Sequence, residues 1–179
     1  TYVNNPKVMI MLVVLGLGCH NSVFLMAAAA AAAWIIKDSR IYLAGWVACV
    51  IASYIAGASI QDYLANIGIF GIDDRFSGYL TGDNMVGEIV QMSMVFRWDF
   101  LLYSAMGVGV GYYFVVRKKF DDEYYHWIFN TYLATNAFWV LIIRAAYSNR
   151  FAQISWFILP IVLVYPFFKQ RFWENHEKM

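Results

Sequence analysis

The length of the apolar runs is the feature that most limits what this chain can fold into. A helix needs ~20 residues to cross a hydrocarbon core of about 30 Å. Residues 41–57, 124–143 and 151–168 form three such runs, and residues 97–116 form a fourth that contains Asp99 near its start. The chain is 61% hydrophobic and 14% charged, whereas a soluble domain is nearer half apolar and a quarter charged. We therefore predict an all-α, polytopic membrane protein.

The first apolar region covers residues 8–36 and is too long for one ordinary crossing. The polar residues 20–22, His-Asn-Ser, interrupt it, and Asn or Ser at such a break can cap a new helix. We predict a helical hairpin with arms over 8–19 and 22–36; a single long tilted helix is the alternative. The whole chain, 1–179, is then one transmembrane domain with about five to six membrane helices.

The basic residues predict how these helices are threaded through the membrane. Alternate threading puts nine of the 13 lysines and arginines on one side, including all six lysines. By the positive-inside rule this side is cytoplasmic and holds the C-terminus. The opposite side, with loops 58–96 and 144–150, carries four basic residues, and all are arginine: Arg75, Arg97, Arg144 and Arg150.

The outer loop 58–96 shows two patterns. In IQDYLANIGIF, Ile60, Tyr63, Leu64 and Ile67 recur at helical spacing, which predicts a short helix lying in the membrane interface. The Gly- and Asp-rich GIDDRFSGYLTGDN that follows indicates an ordered loop, and another short helix is expected before Arg97.

A run of alanines at 27–33 lies in the second arm of the predicted hairpin. Small side chains in a membrane helix let another helix approach closely. We therefore interpret this run as a packing surface.

The stretch IRAAYSNRFAQISW, residues 143–156, joins two apolar runs and contains Arg144 and Arg150. Charged side chains at a bilayer edge are costly unless they are hydrated, paired or used. Arginines near helix ends can simply extend to the interface, but lysine would serve that purpose equally well. Because the arginine fork matches phosphate and carboxylate oxygens, the stretch predicts an anionic ligand at a membrane surface.

Arg97 and Asp99 are two residues apart, and side chains at this spacing do not face each other on a helix. We therefore predict that they have different partners; structural ion pairs with other helices are the alternative. Asp73, Asp74 and Arg75 form a second charged cluster. A carboxylate there is a candidate general base for a hydroxyl group, and a solvated loop is the alternative.

His20 stands at the polar break of the first apolar region. Irregular backbone at membrane depth is tolerated mainly where it lines a cavity or is buried in protein, so His20 is a candidate proton acceptor. A hydrogen-bonded core histidine is the alternative. The sequence has no metal-ligand spacing, phosphate-binding loop or dinucleotide fingerprint, so neither a metal nor a cofactor is predicted. A net charge of +1 gives no support for nucleic-acid binding.

Several segments resemble the EpsG family of Wzy-like bacterial exopolysaccharide and O-antigen polymerases. RWDFLLYS at 97–104 and FNTYLATNAFWVLIIRAAYSNRFAQISWFILPIVLVYP at 129–166 resemble the C-terminal half of that family. The HNS at 20–22 is similar to the family's His-x-Ser element, and DDRFSGYL at 73–80 resembles its outer loop. The IRAAYSNRFA stretch is the most specific of these similarities.

The resemblance implies a membrane glycosyltransferase-like polymerase that joins polyprenyl-diphosphate-linked oligosaccharide repeats at the outer face of the bacterial inner membrane. Exopolysaccharide, capsule or O-antigen synthesis would be its setting, with the lipid bilayer and other polysaccharide-export components as partners. The chain would then be the C-terminal part of a longer polymerase. The rival hypothesis is a transporter or flippase of lipid-linked glycans, which predicts basic groups along a translocation path.

Under this reading the site residues fall into two groups and have no metal among them. The expected diphosphate-binding residues are Arg75, Arg97, Arg144, Asn149 and Arg150. The expected catalytic acid–base residues are His20, Asp73, Asp74 and Asp99. The hypothesis requires the four outer arginines to converge.

Overall fold

The computed structural model of the protein describes residues 11, 23–67, 95–145 and 148–170. Within these residues the regular structure is entirely helical, with no β-strand. The helices are α1 (Val23–Ile35), α2 (Ser39–Ile67), α3 (Trp98–Tyr112), a π-helical turn (Tyr113–Arg117), α4 (Glu123–Leu141), α5 (Ser148–Trp156) and α6 (Leu159–Lys169). The predicted all-α class is confirmed.

Three helical stretches among the described residues are long and apolar enough to cross a membrane: Ser39–Leu64, Trp98–Arg117 and Ser148–Lys169. The predicted count of five to six is therefore not confirmed. Only 11% of the most apolar stretch of α2 is buried in protein, and Ile55 on that helix is 77% exposed. An apolar surface of this extent is suited to lipid rather than to water, which is compatible with a membrane protein.

Helix α4 lies at the centre of the bundle and contacts each of the other described helices. It covers the predicted 124–143 run but is not among the three apolar spans, because it carries polar residues that are buried inside the bundle. Asn136 is one of them: its amide oxygen accepts from Trp46 Nε1 at 2.7 Å, and its amide nitrogen donates to Ser155 Oγ at 3.0 Å. Hydrogen bonds of this kind hold helices together in a membrane.

The alanine run places α1 against α4, as predicted. Ala29 and Ala33 are buried, and Trp127 of α4 donates its indole N–H to the carbonyl oxygen of Ala30 at 2.9 Å. The second arm of the predicted hairpin is thus helical over Val23–Ile35. The first arm and the break at 20–22 lie outside the described residues, apart from Met11.

Helix α2 is longer than the predicted run 41–57. It kinks at Ala56 (φ −128°, ψ 18°) and continues to Ile67. The kink lies at the predicted end of the 41–57 run, and the segment that follows it is the predicted short helix, continuous with α2. Residues 68–94 lie outside the described part of the chain.

The predicted single helix over 151–168 is divided into α5 and α6 by a turn at 157–158. Pro160 occupies the first turn of α6. A proline is tolerated there, but it has no N–H with which to continue a preceding helix. The break therefore follows from the proline.

A second proline, Pro166, lies inside α6. It cannot donate to the carbonyl group of Val162 one turn earlier. The Tyr125 hydroxyl of α4 donates to that oxygen instead, at 3.0 Å. The carbonyl that the proline leaves free is thus paired by a neighbouring helix, as the apolar environment requires.

Contacts between helix ends divide the described residues into two groups. At one end, here the lysine end, Lys37 Nζ contacts Glu123 Oε1 at 2.5 Å and Ser39 Oγ contacts His126 Nδ1 at 3.0 Å. The basic residues of this end are Lys37, Arg40, Arg117, Lys118, Lys119 and Lys169. The other end, here the arginine end, contains Arg97, Arg144 and Arg150.

Candidate functional site

Arg144 lies at the arginine end, just after α4, and contacts two other segments. A methyl group placed on Gly57 of α2 would lie 3.2 Å from Arg144 Nε and 3.3 Å from its Cδ. On another side, Arg144 Cζ lies 5.5 Å from the centroid of the Phe96 ring, just before α3. Because Gly57 has no side chain, the Arg144 stem can pack directly against α2, next to the kink at Ala56.

Two buried polar atoms in this region have no hydrogen-bond partner among the described residues. They are Arg144 Nε and Ser53 Oγ. Ser53 is fully buried one turn before Gly57, and the same methyl group would lie 3.4 Å from its hydroxyl oxygen. A buried polar group left unpaired costs about 1–3 kcal/mol. Arg144 also forms no ion pair with a described residue.

Arg97 and Asp99 pair with each other, so the prediction of different partners is wrong. Arg97 Nε donates to Asp99 Oδ1 at 3.0 Å, and Nη2 donates to Oδ2 at 2.7 Å. The helical spacing rule does not apply because Arg97 precedes α3 with non-helical angles (φ −87°, ψ 82°). Its side chain can therefore turn back over the first turn of the helix.

The pairing changes what these two residues can do. Each carboxylate oxygen of Asp99 accepts one hydrogen bond from the guanidinium group, which stabilises the ionised carboxylate and makes Asp99 a weaker base. The hydrogen bond to Asp99 raises the pKa of Arg97 further above its ordinary value. Arg97 Cζ also lies 3.7 Å from the centroid of the Phe100 ring. Arg97 is a partly neutralised cation, in contrast to Arg144.

Aromatic rings surround the two arginines. Phe96, which is buried, lies with its centroid 4.6 Å from that of Trp98 and 5.9 Å from that of Tyr54. Trp98 and Tyr54 are themselves half-exposed. Amphipathic rings of this kind are typical of the boundary between lipid and water. Arg97 and Arg144 therefore each lie against a ring of the segment 96–100, Arg97 against Phe100 and Arg144 against Phe96.

Asn149 and Arg150 lie in the first turn of α5, and their side chains are exposed. The start of α5 is fixed by Trp139, whose indole N–H donates to the carbonyl oxygen of Ser148 at 2.8 Å. Arg150 thus shares the end of the bundle with Arg144 and Arg97. The remaining predicted site residues lie outside the described part of the chain: His20, Asp73, Asp74 and Arg75.

The sequence did not indicate three residues of this site. Ser53 and Gly57 lie four residues apart on α2, and Phe96 precedes Arg97. Small residues in the AGAS stretch, 56–59, were the available signal for a close approach to α2. Nothing in the sequence connected that approach with Arg144, because the contact depends on how α2 and α4 are paired.

Comparisons of the chain with protein-family models, curated proteins and solved structures give no match. Within the described ranges, no three His, Cys, Asp or Glu side chains are grouped so that they could hold a metal ion. The geometry of the arginine end and the resemblance described above are therefore the two observations that bear on function.

Proposed function

We propose that the arginine end binds the diphosphate of a polyprenyl-diphosphate-linked glycan. The single observation that carries this proposal is Arg144, a half-buried cation with an unpartnered Nε and no ion pair within the described chain. Diphosphate oxygens are suitable partners for an arginine fork. The exposed apolar surface of the neighbouring helices provides a place for the polyprenyl tail, since both are compatible with lipid.

We further propose that the activity is that of a glycosyltransferase-like polymerase. In this reaction an acceptor hydroxyl oxygen attacks the anomeric carbon of a donor repeat, and the bond between that carbon and the diphosphate oxygen breaks. The polyprenyl diphosphate leaves with the electron pair, and the hydroxyl proton passes to a base, for which His20, Asp73, Asp74 and Asp99 are the candidates. Fixed guanidinium groups stabilise the charge that develops on the leaving group.

The proposed setting is the inner membrane of a bacterium, with the arginine end extracytoplasmic and the lysine end cytoplasmic. The concentration of lysines at one end supports this orientation through the positive-inside rule. In that orientation Asn149, Arg150 and loop 68–94 belong to the outer face, together with Arg75. The C-terminal segment after α6 is then cytoplasmic.

The rival function is the transport or flipping of a lipid-linked glycan. A translocation path for a diphosphate requires basic groups at several depths of the membrane. Every described lysine and arginine instead lies in a loop or in the first or last turn of a helix. This distribution favours chemistry at one face.

The binding proposal is tested by comparing Arg144→Lys with Arg97→Lys in the purified chain, reconstituted in lipid nanodiscs with polyprenyl diphosphate as the ligand. Lysine keeps the charge but loses the bidentate fork, and one charge-assisted hydrogen bond contributes about 1.5–3 kcal/mol. We expect Arg144→Lys to weaken binding roughly tenfold or more. Arg97→Lys is the matched control, with a smaller loss because Asp99 already occupies the Arg97 fork. Equal affinity of Arg144→Lys and the wild type would rule out fork recognition by Arg144.

The catalytic proposal needs a separate measurement. Incubation with a lipid-linked oligosaccharide repeat should give a ladder of longer products on a gel, and Arg144→Lys should shorten or remove that ladder. Binding without any ladder, accompanied by movement of the labelled lipid between leaflets, would support the transporter instead.

A further inference from the structure

A cleft opens at the lysine end, away from the proposed glycan site. It has a volume of about 460 Å³ and lies between the start of α2 and the segment that follows the π-helical turn. Its charged lining consists of three cations and two carboxylates: Lys37, Arg40, Lys119, Asp38 and Asp121. The remaining lining consists of the apolar residues Val115, Val116 and Phe120 and the polar residues Ser39 and His126.

Both carboxylates of the cleft contact groups other than Arg40 Nη and Lys119 Nζ. Asp38 Oδ1 accepts from the backbone N–H of Arg40 at 2.9 Å, which caps the start of α2. The Asp121 side chain is 99% exposed, and its Oδ1 lies 3.8 Å from Nε2 of the His126 ring. Neither carboxylate forms an ion pair with Arg40 or Lys119.

The cations of the cleft are not equivalent. Lys37 is neutralised by Glu123, at 2.5 Å. Arg40 and Lys119, which come from different segments, form no ion pair with any described residue. Although two carboxylates line the same cleft, neither is paired with Arg40 or Lys119. Both cations can therefore attract an anion that enters the cleft.

The backbone at Lys119 gives an independent indication. Its φ is 51°, the left-handed region that a residue with a Cβ adopts only with strain. The surrounding bonds, Lys118 N–H to Tyr113 O at 2.9 Å and Phe120 N–H to Phe114 O at 3.0 Å, are those of a helix C-cap. Glycine is the usual residue at such a position. Glycine would adopt this backbone conformation without strain, so the lysine does not stabilise the helix end. Its side chain instead places a cation in the lining of the cleft.

The position of the cleft along the helices indicates which part of a membrane lies beside it. Arg40 lies at the start of the apolar span Ser39–Leu64, and Lys119 lies just beyond the end of the span Trp98–Arg117. Both side chains are thus at the level where an apolar span gives way to lipid headgroups. Basic pockets between membrane helices at this level bind phosphate-bearing headgroups.

We propose that this cleft is a phosphate-binding site in which Arg40 and Lys119 contact the phosphate oxygens. The phosphate has two possible sources, the headgroup of an anionic membrane lipid and a soluble phosphate compound. The site is independent of the glycan function proposed for the arginine end.

The test uses the full chain in neutral detergent and measures the binding of short-chain phosphatidylglycerol, short-chain phosphatidylcholine and inorganic phosphate. The informative variant is Lys119→Gly, which removes the side chain and leaves a residue suited to the left-handed backbone. Lys118→Gln is the matched control, because Lys118 is the adjacent lysine but its ammonium lies over the Tyr113 ring, 5.7 Å from the centroid, and does not line the cleft. Thermal unfolding of each variant verifies that the fold is retained.

For a lipid source we expect phosphatidylglycerol to bind more tightly than phosphatidylcholine, and Lys119→Gly to weaken the former about fivefold, the contribution typical of one basic residue near an anionic membrane. Lys118→Gln should change it by less than about twofold. Binding of inorganic phosphate that also falls with Lys119→Gly supports the site and assigns a soluble source. Equal losses for the two variants would indicate only diffuse attraction, and an unchanged affinity for Lys119→Gly would likewise overturn the proposal.

Discussion

The hydrogen bond from the Tyr125 hydroxyl to the carbonyl oxygen of Val162 allows the bundle to tolerate Pro166 in α6. Its contribution to the free energy of unfolding can be predicted. Tyr125 and Val162 are both fully buried, and the oxygen–oxygen distance is 3.0 Å. Tyr125→Phe removes only the hydroxyl and leaves the carbonyl without a partner, because Pro166 has no N–H to offer. A buried acceptor that loses its partner costs about 1–3 kcal/mol. We expect the free energy of unfolding to fall by that amount.

The cost of Tyr125→Phe should be smaller when Pro166 is replaced by alanine. The alanine of that variant would supply an N–H one turn after Val162, so the carbonyl would stay paired when the hydroxyl is removed. In the Pro166→Ala background we therefore expect Tyr125→Phe to cost less than about 1 kcal/mol. The difference between the two backgrounds is the coupling energy of a double-mutant cycle.

The assay is reversible unfolding of the chain in mixed micelles by increasing the mole fraction of a denaturing detergent. The fluorescence of the seven tryptophans and circular dichroism provide two independent signals. All four proteins of the cycle are compared in the same lipid mixture. If Tyr125→Phe costs as much in the Pro166→Ala background as in the wild type, the hydroxyl does not replace the missing backbone donor and the reasoning is refuted.

Two further predictions concern glycines at helix contacts. A methyl group on Gly111 would overlap the ring of Phe129, whereas one on Gly109 has no neighbour within 4 Å. Gly111→Ala should therefore lower the free energy of unfolding by about 1–3 kcal/mol. Gly109→Ala is the control and should leave that free energy unchanged or raise it. Gly57→Ala should displace the Arg144 guanidinium group by a few tenths of an ångström and weaken polyprenyl diphosphate binding about threefold, with little change in the melting temperature. Destabilisation by Gly109→Ala, or unchanged binding by Gly57→Ala, would contradict the respective contact.

The sequence was most informative where a single physical requirement determines the outcome. Apolar length predicted the helical class, and the alanine run predicted a packing surface, which the burial of Ala29 and Ala33 and the bond from Trp127 to Ala30 confirm. Each of these two inferences depends on composition along one segment, so no knowledge of its neighbours was needed.

The inaccurate predictions have specific physical causes. Arg97 and Asp99 were treated as residues of one helix, but the helix begins between them, so their side chains can meet. The run 151–168 was read as continuous because apolar character does not show the break that Pro160 introduces.

The position of Arg144 depends on the interior of the bundle rather than on charges around it. Asn136, two turns before Arg144, links α4 to Trp46 of α2 and to Ser155 of α5 by hydrogen bonds of 2.7 and 3.0 Å. These bonds fix how α2 and α4 are aligned along their length, and that alignment is what brings Gly57 beside the Arg144 stem. Arg144 is thus positioned by the packing of α4 against α2, and not by an ion pair with a described carboxylate. The buried amide of Asn136 and the half-buried Arg144 are therefore parts of one arrangement, in which hydrogen bonds inside the bundle align the helix that the arginine follows. On the proposed function, this arrangement leaves the guanidinium group for the diphosphate.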